Sequence, residues 1–424
     1  MRALFIHNNF PAQFGGIAGW LAQQGWDITF ATQRAGAKSD VLRIVRYEDH
    51  REISRATHHY IRGTERAVIT GQGFVRAAVA LKREGYRPDV IVAHSGWGAG
   101  TFAKDVWPDS KYVQYAEWYY SHPHIDRTPY DPPGDPLEQR AKARIRNAPF
   151  WLDFSAADAT ICPTQFQADR FPAKVRPHIT VLPDGVDTVL HRPGPRDPGF
   201  LAPMGIPDDA RIVTYIARGM EPARGFPEFM RAAAEVQRRC PDIHIVVIGE
   251  DRVAYGPTPK GPSWKARMLA ELDFDPARLH FTGLVGRAAM IRFLQASSAH
   301  VYLSAPFVLS WSFLEAMSCG APMVAADNGP VREFLREGET GFLVDPTDTD
   351  AVASRIEQLA RQPALARSLG MAARAEIVGK LDATSLVYPR HRVFLSNLVT
   401  GGADASAPTR ATHAPPRHTA SSVI

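Results

Sequence analysis

The sequence predicts an α/β protein of two doubly wound, Rossmann-like domains facing a central cleft. Strand-length apolar runs alternate with helical stretches once in each half of the chain, and a Pro/Gly-rich connection separates the two series. A chain of 424 residues also favours two cores over one.

In the first half, residues 2–8, 26–33, 41–47, 88–95, 111–117, 159–163 and 178–183 read as strands. Several are unbroken apolar runs, the pattern of parallel strands buried on both faces. After residues 184–188 the chain turns to HRPGPRDPGFLAP, which puts a hinge near residues 189–205. In the second half, residues 211–217, 243–249, 279–282, 300–304, 322–326 and 341–344 read as strands. The helices between them carry apolar residues at helical spacing, such as Val352, Ile356 and Leu359. A last apolar segment, 386–399, contains Pro389, so a kinked or broken helix is expected, packing back on the first domain. The domains are placed at 1–190 and 191–383, with 384–399 returning to the first. Residues 400–424 have too few large apolar side chains to offset ordering entropy and are expected to form a disordered tail.

Composition excludes several classes. With 45% hydrophobic and 22% charged residues the chain is globular. Cys162, Cys240 and Cys319 are far apart and odd in number, which argues against a disulfide framework or a zinc site and for a reducing compartment. No apolar run reaches membrane-spanning length, and the apolar stretch at the start is too short for a signal peptide, so a cytoplasmic protein is expected. The formal charge of +5 favours anionic partners: nucleotide phosphates, nucleic acid or a membrane surface. Arg140, Lys142, Arg144 and Arg146 are two apart, which spreads them around a helix. With no basic stripe studded with aromatics, nucleic acid is not expected as a partner. Contact with the inner membrane face is compatible with the charge.

Three constellations and one carboxylate could carry chemistry. In residues 217–226, ARGMEPARGF, Arg218 and Arg224 flank a loop containing Gly219 and Gly225 that follows a strand and enters a helix. Paired guanidinium forks on such a loop suit a diphosphate, with backbone amides and the helix dipole adding to them; two surface arginines in a turn are the plain alternative. Gly15 and Gly16 follow the first strand, where amides could approach a phosphate closely. His94 ends a strand before Gly96, Gly98 and Gly100, and could bond a substrate hydroxyl or stabilise developing charge. This glycine run, with Glu117 further on, resembles the plan of an NAD site, but GWGAG places its third glycine one residue early. Finally, in YLSAPFVLSWSFLEAMSCG, residues 302–320, Glu315 is expected in the first turn of a short helix ending at Gly320. It either accepts bonds from sugar or ribose hydroxyls or only complements the dipole. Asp348 and Asp350 form a DxD but read as a helix N-cap, and Asp184 with Asp187 as turn chemistry, so no metal site or cofactor is expected.

Together, Gly15-Gly16, LPDGVDT at 182–188, ARGMEPARGF, FTG at 281–283, LEAMSCGAPMVAAD at 314–327 and GETGFLVD at 338–345 resemble a family 4 glycosyltransferase of the GT-B fold. The resemblance implies a nucleotide-diphosphate sugar held mainly by the second domain, transfer to a hydroxyl acceptor with retention of configuration, and no catalytic metal. Residue by residue, it implies that Arg218 and Arg224 grip the diphosphate, Glu315 bonds the ribose, the Gly16 amide approaches the diphosphate, His94 lies near the donor sugar, and Leu284 borders the base. At the first Glu of the family's paired-glutamate signature this chain has Phe307, and Val308, Leu309 and Ser310 stand where Gly-Phe-Gly is common, which by the resemblance puts Leu309 and Ser310 in the donor site. The chain resembles a bacterial subgroup reading PFVLSW before LEAM. A GT-B-shaped nucleotide-sugar epimerase and a non-catalytic nucleotide-sugar binder are the alternative classes.

Overall fold

The computed structural model describes residues 1–402. Of the tail expected over residues 400–424, Thr400 still belongs to the closing helix and residues 403–424 lie outside the described residues.

The first seven strands form one parallel sheet: β1 (Arg2–Ile6), β2 (Asp27–Thr32), β3 (Arg43–Arg46), β4 (Val90–His94), β5 (Lys111–Tyr115), β6 (Ala159–Cys162) and β7 (Ile179–Val181), in the order β3-β2-β1-β4-β5-β6-β7. The next six form a second parallel sheet: β8 (Arg211–Gly219), β9 (Ile243–Glu250), β10 (Leu279–Gly283), β11 (Ala299–Tyr302), β12 (Met323–Ala326) and β13 (Phe342–Val344), in the order β10-β9-β8-β11-β12-β13. Every strand expected from the sequence is present. The reason is visible in strands such as β4 and β12, which are buried along their whole length and so read as continuous apolar runs.

The strand orders decide where ligands go. In each sheet the order reverses once, between β1 and β4 and between β8 and β11. At such a switch point the loops leaving the two strands part in opposite directions and open a crevice at the carboxyl ends. The segments leaving these four strands contain Gly15 and Gly16, His94, Arg218 and Arg224, and residues 303–310.

The closing helix, Tyr388–Thr400, packs Phe394 and Leu395 into the first sheet's core with Phe5, Ile17 and Leu21, as expected. Pro389, however, neither kinks nor breaks it. The residue stands at the start of that helix, after a π-turn at Ala383–Val387, where its missing N–H costs no helical bond.

A second correction concerns Glu315. Its helix runs Trp311–Ser318 and has no acidic residue in its first turn. Residues 306–310 stay non-helical, so Glu315 falls in the second turn, out of reach of the strongest dipole field. Gly320 ends the helix in a left-handed conformation, φ 71°, as expected. Asp348 caps helix Thr349–Arg361, accepting from the Ala351 amide at 2.9 Å, and Asp350 pairs with Arg239 at 2.8 Å. Among the described residues no helix is long and apolar enough to cross a membrane.

Candidate functional site

On the first sheet, β4 delivers His94 to the crevice floor, where it is buried. Its Nδ1 lies 2.9 Å from the Ser95 carbonyl and its Nε2 3.3 Å from Glu117 Oε2. Glu117, just past β5, also accepts from Gln13 Nε2 at 2.8 Å. Burial pushes the Glu117 carboxyl up, but the hydrogen bonds from His94 and Gln13 outweigh it and hold the group below its ordinary value. His7, at the end of β1, meets the His94 ring edge-on at 4.9 Å between centroids. Burial first, and then the neighbouring His94 charge, push His7 down to about 3, so it is neutral. Sequence reasoning named His94 and left Glu117 out of the site. The missed signal was the acidic end of β5, one strand over in the sheet order.

Gly15 and Gly16 open helix Gly15–Gln23, and both have packing reasons for lacking a side chain. A Cβ on Gly15 would collide with Pro11, and one on Gly16 with the Tyr388 hydroxyl from the closing helix. Gly16 is nevertheless exposed at this helix start. The glycines after His94 serve packing too: a Cβ on Gly98 would enter the Ala67 carbonyl, and one on Gly100 would meet Ala93 and, at 2.6 Å, the Tyr112 hydroxyl.

On the second sheet, Arg218 at the end of β8 is exposed, and Arg224 lies with its guanidinium carbon 4.7 Å from the centre of the Tyr255 ring. Among the described residues neither arginine forms an ion pair. Gly219 is buried, and a Cβ there would sit 2.5 Å from the Arg252 carbonyl. That contact joins the loop after β8 to the one after β9. Glu221 reinforces it: its buried carboxylate accepts from the Ala254 and Tyr255 amides at 2.8 and 2.7 Å, which fixes Tyr255 beneath Arg224.

Leu284, after β10, is well exposed. Leu309 is not: its side chain packs into the core with Tyr302 and Phe313, so only its backbone is available to a ligand. Ser310 donates its amide to the Tyr302 hydroxyl at 3.1 Å. Glu315 Oε1 lies 3.4 Å from Nε2 of buried His191, a partner the sequence did not reveal. Phe307 stands between the domains, 4.7 Å from Trp118 of the first and 5.9 Å from Tyr255 of the second.

The two halves touch at further points. Trp311 Nε1 donates to Asp184 Oδ2 at 2.9 Å, and Tyr115 OH to Asp184 Oδ1 at 2.8 Å. Glu333 accepts from the Gln165 and Phe166 amides at 2.9 and 2.8 Å. Asp187 forms the expected turn, accepting from Val189 and Leu190, whereas Asp184 does not; it bridges the domains. Burial pushes the Asp184 carboxyl up to about 6.

Two doubly wound sheets whose switch points share one crevice, one side carrying unpaired cations, define the architecture of a GT-B protein. Residues 24–190 match the family model described as "Glycosyl transferase family 4 group" and residues 200–376 that of "Glycosyl transferases group 1". The chain belongs to the family 4 glycosyltransferases. A D-inositol 3-phosphate glycosyltransferase of Rhodococcus opacus is 31% identical over 46% of this chain and 43% of its own length. A GDP-mannose-dependent phosphatidylinositol monomannoside mannosyltransferase of Mycolicibacterium smegmatis is 26% identical over 56% of this chain and 60% of its own. The chain thus spans less than two thirds of the length of these relatives. A sucrose-phosphate synthase of Thermosynechococcus elongatus shares the fold with a TM-score of 0.69 at 17% identity, covering 94% of this chain and all of that one. Anabaena HepE, solved with UDP-glucose, does so with a TM-score of 0.66 at 16% identity, covering 94% of this chain and all of that one.

Proposed function

We propose that the protein is a retaining, metal-independent glycosyltransferase that moves a sugar from a nucleotide-diphosphate donor to a hydroxyl acceptor. The observation that carries this reading is the pair Arg218 and Arg224, two cations without ion-pair partners among the described residues, on the loop leaving β8 at a switch point. As the bond from sugar to diphosphate breaks, negative charge builds on the leaving diphosphate. Both guanidinium groups, the Gly16 amide and the helix starts around them stabilise that charge. The sugar gains oxocarbenium character while the acceptor oxygen attacks from the same face, and the acceptor proton passes to the departing phosphate. Glu315 bonds the ribose from beside His191, and the base lies against Leu284. His94 lies beside the sugar. Relatives named for GDP-mannose and a fold neighbour solved with UDP-glucose make GDP and UDP the donors to try first. The protein works in the cytoplasm, in contact with the inner membrane face if its acceptor is lipid-linked.

Incubation with UDP- and GDP-sugars tests the reading. Nucleotide release that requires an acceptor supports it. Sugar conversion without an acceptor, or saturable binding with no turnover against any acceptor class, rejects it.

A further inference from the structure

Among the described residues, the most exposed Phe, Tyr or Trp side chains are Trp97 (54%), Tyr255 (37%) and Trp311 (42%). All three belong to the crevice, on the segments leaving β4, β9 and β11. Tyr255 already carries Arg224, and Trp311 donates to Asp184. Trp97 has only a distant, tilted contact with the His94 ring, at 6.2 Å and 51°.

The loop that presents Trp97 is held rigidly. Buried Asp153 accepts from Ser95 Oγ at 2.9 Å, from Thr101 Oγ1 at 2.7 Å and from the Gly96 amide at 3.4 Å. Gln114 donates to the same Ser95 hydroxyl at 2.9 Å. On either side of Trp97, Gly96 and Gly98 take left-handed conformations, φ 88° and 87°, and Gly98 is packed against the Ala67 backbone. A buried carboxyl and two left-handed glycines therefore fix a loop whose one exposed large side chain is an indole. Holding a ring in place before a ligand arrives removes an ordering cost from binding.

We propose that Trp97 is the platform of the acceptor subsite and that it takes a polyhydroxylated six-membered ring, a pyranose or a cyclitol, stacked by its C–H face. Trp97 leaves the first sheet and the arginine pair the second, so on the transferase reading the nucleotide lies across the crevice from Trp97, and a ring on the indole, next to His94 and the transferred sugar, is the acceptor. Its surroundings decide ring over acyl chain. The indole stands between two glycines and its ring neighbour is His94, bonded in turn to the Glu117 carboxylate, a polar rather than an apolar surrounding. The assignment of an acceptor rests on the transferase reading; the stacking of a ring on Trp97 does not.

Saturation-transfer NMR on the full chain tests this with methyl α-D-mannopyranoside, methyl α-D-glucopyranoside, myo-inositol and 1-hexanol as separate probes, each in the presence of UDP or GDP. Saturation of the C–H protons of at least one ring probe is expected, with affinity falling about three- to tenfold in W97A and retained in W97F. Which ring probe responds tells a pyranose from a cyclitol. No saturated ring probe, equal affinity in W97A, or a W97-dependent response confined to 1-hexanol overturns the proposal. Nucleotide protons report separately: if neither UDP nor GDP is saturated while a ring probe responds through Trp97, the donor reading fails and the ring platform stands.

Discussion

The Glu117 carboxylate lies 3.3 Å from His94 Nε2, while His94 Nδ1 faces the Ser95 carbonyl at 2.9 Å. Both ring nitrogens therefore face oxygen atoms, an arrangement that fixes the orientation of the ring. Neutral His7, edge-on to His94, offers no competing cation. Tyr115, at 5.3 Å, closes the other side of the ring, and burial holds its hydroxyl well above the usual range. Glu117 acts as a positioning residue for His94. Glu117→Gln is expected to lower kcat about tenfold or more and to shift the acidic limb of the kcat–pH profile, with donor KM unchanged. An unaltered pH profile together with a proportionate loss of folded protein would assign Glu117 a structural role only.

The arginine pair is tested by binding alone. Arg218→Ala and Arg224→Ala each remove a charge-assisted contact worth about 1.5–3 kcal/mol, so each should weaken UDP or GDP affinity by roughly 10- to 100-fold in calorimetry. Arg224→Lys should recover only part of the loss, since a point charge lacks the fork and the stacking on Tyr255. Unchanged affinity in both alanine variants would move the diphosphate elsewhere.

Strands were legible in the sequence because parallel strands buried on both faces are continuous apolar runs, as in VIVAH of β4. Side-chain partnerships across the sheet were not. His94 and Glu117 are 23 residues apart, and Asp184 and Trp311 are 127 apart; only the strand order and domain closure bring them together. Local errors had local causes. Pro389 suggests a kink or a break because the π-turn before it has no sequence signature. Leu309 lies in a stretch whose position implies donor contacts, yet its side chain turns into the core. The glycines after His94 imitate a nucleotide loop without matching its spacing, and serve contacts with the Ala67 carbonyl and Tyr112.

Phe307 joins the domains through Trp118, at 4.7 Å with the rings edge to face. Such a pair contributes about 0.5–1.5 kcal/mol beyond its buried area. Phe307→Ala and Trp118→Ala should therefore each lower the melting temperature by a few degrees, with the double variant losing less than the sum. Glu315→Ala, by contrast, should weaken nucleotide affinity much more than Phe307→Ala does. Equal effects on affinity would remove Glu315 from the ribose. Additive melting losses would show that the two rings do not act together.

Asp184 makes the link between the domains sensitive to pH. Its carboxyl accepts from Tyr115 on the first sheet and from Trp311 at the start of a helix of the second domain, and burial raises it from 3.8 to about 6. Between about pH 4 and 6 the folded protein holds a proton that the unfolded chain releases. This group's contribution to stability therefore falls as pH rises across that window, by an amount on the order of 2 kcal/mol. Asp153 also rises to about 6 and adds a fall of the same sign, while Glu117 lies below its ordinary value and opposes it, so the total slope is not diagnostic. The difference between two proteins is. Asp184→Asn cannot ionise, so its stability deficit relative to wild type should be largest near pH 4 and should shrink steadily to pH 7. Paired denaturant melts at each pH measure it. A deficit that stays constant or grows over that range would mean that Asp184 is ionised in the folded protein throughout and that the Tyr115 and Trp311 bonds hold a carboxylate.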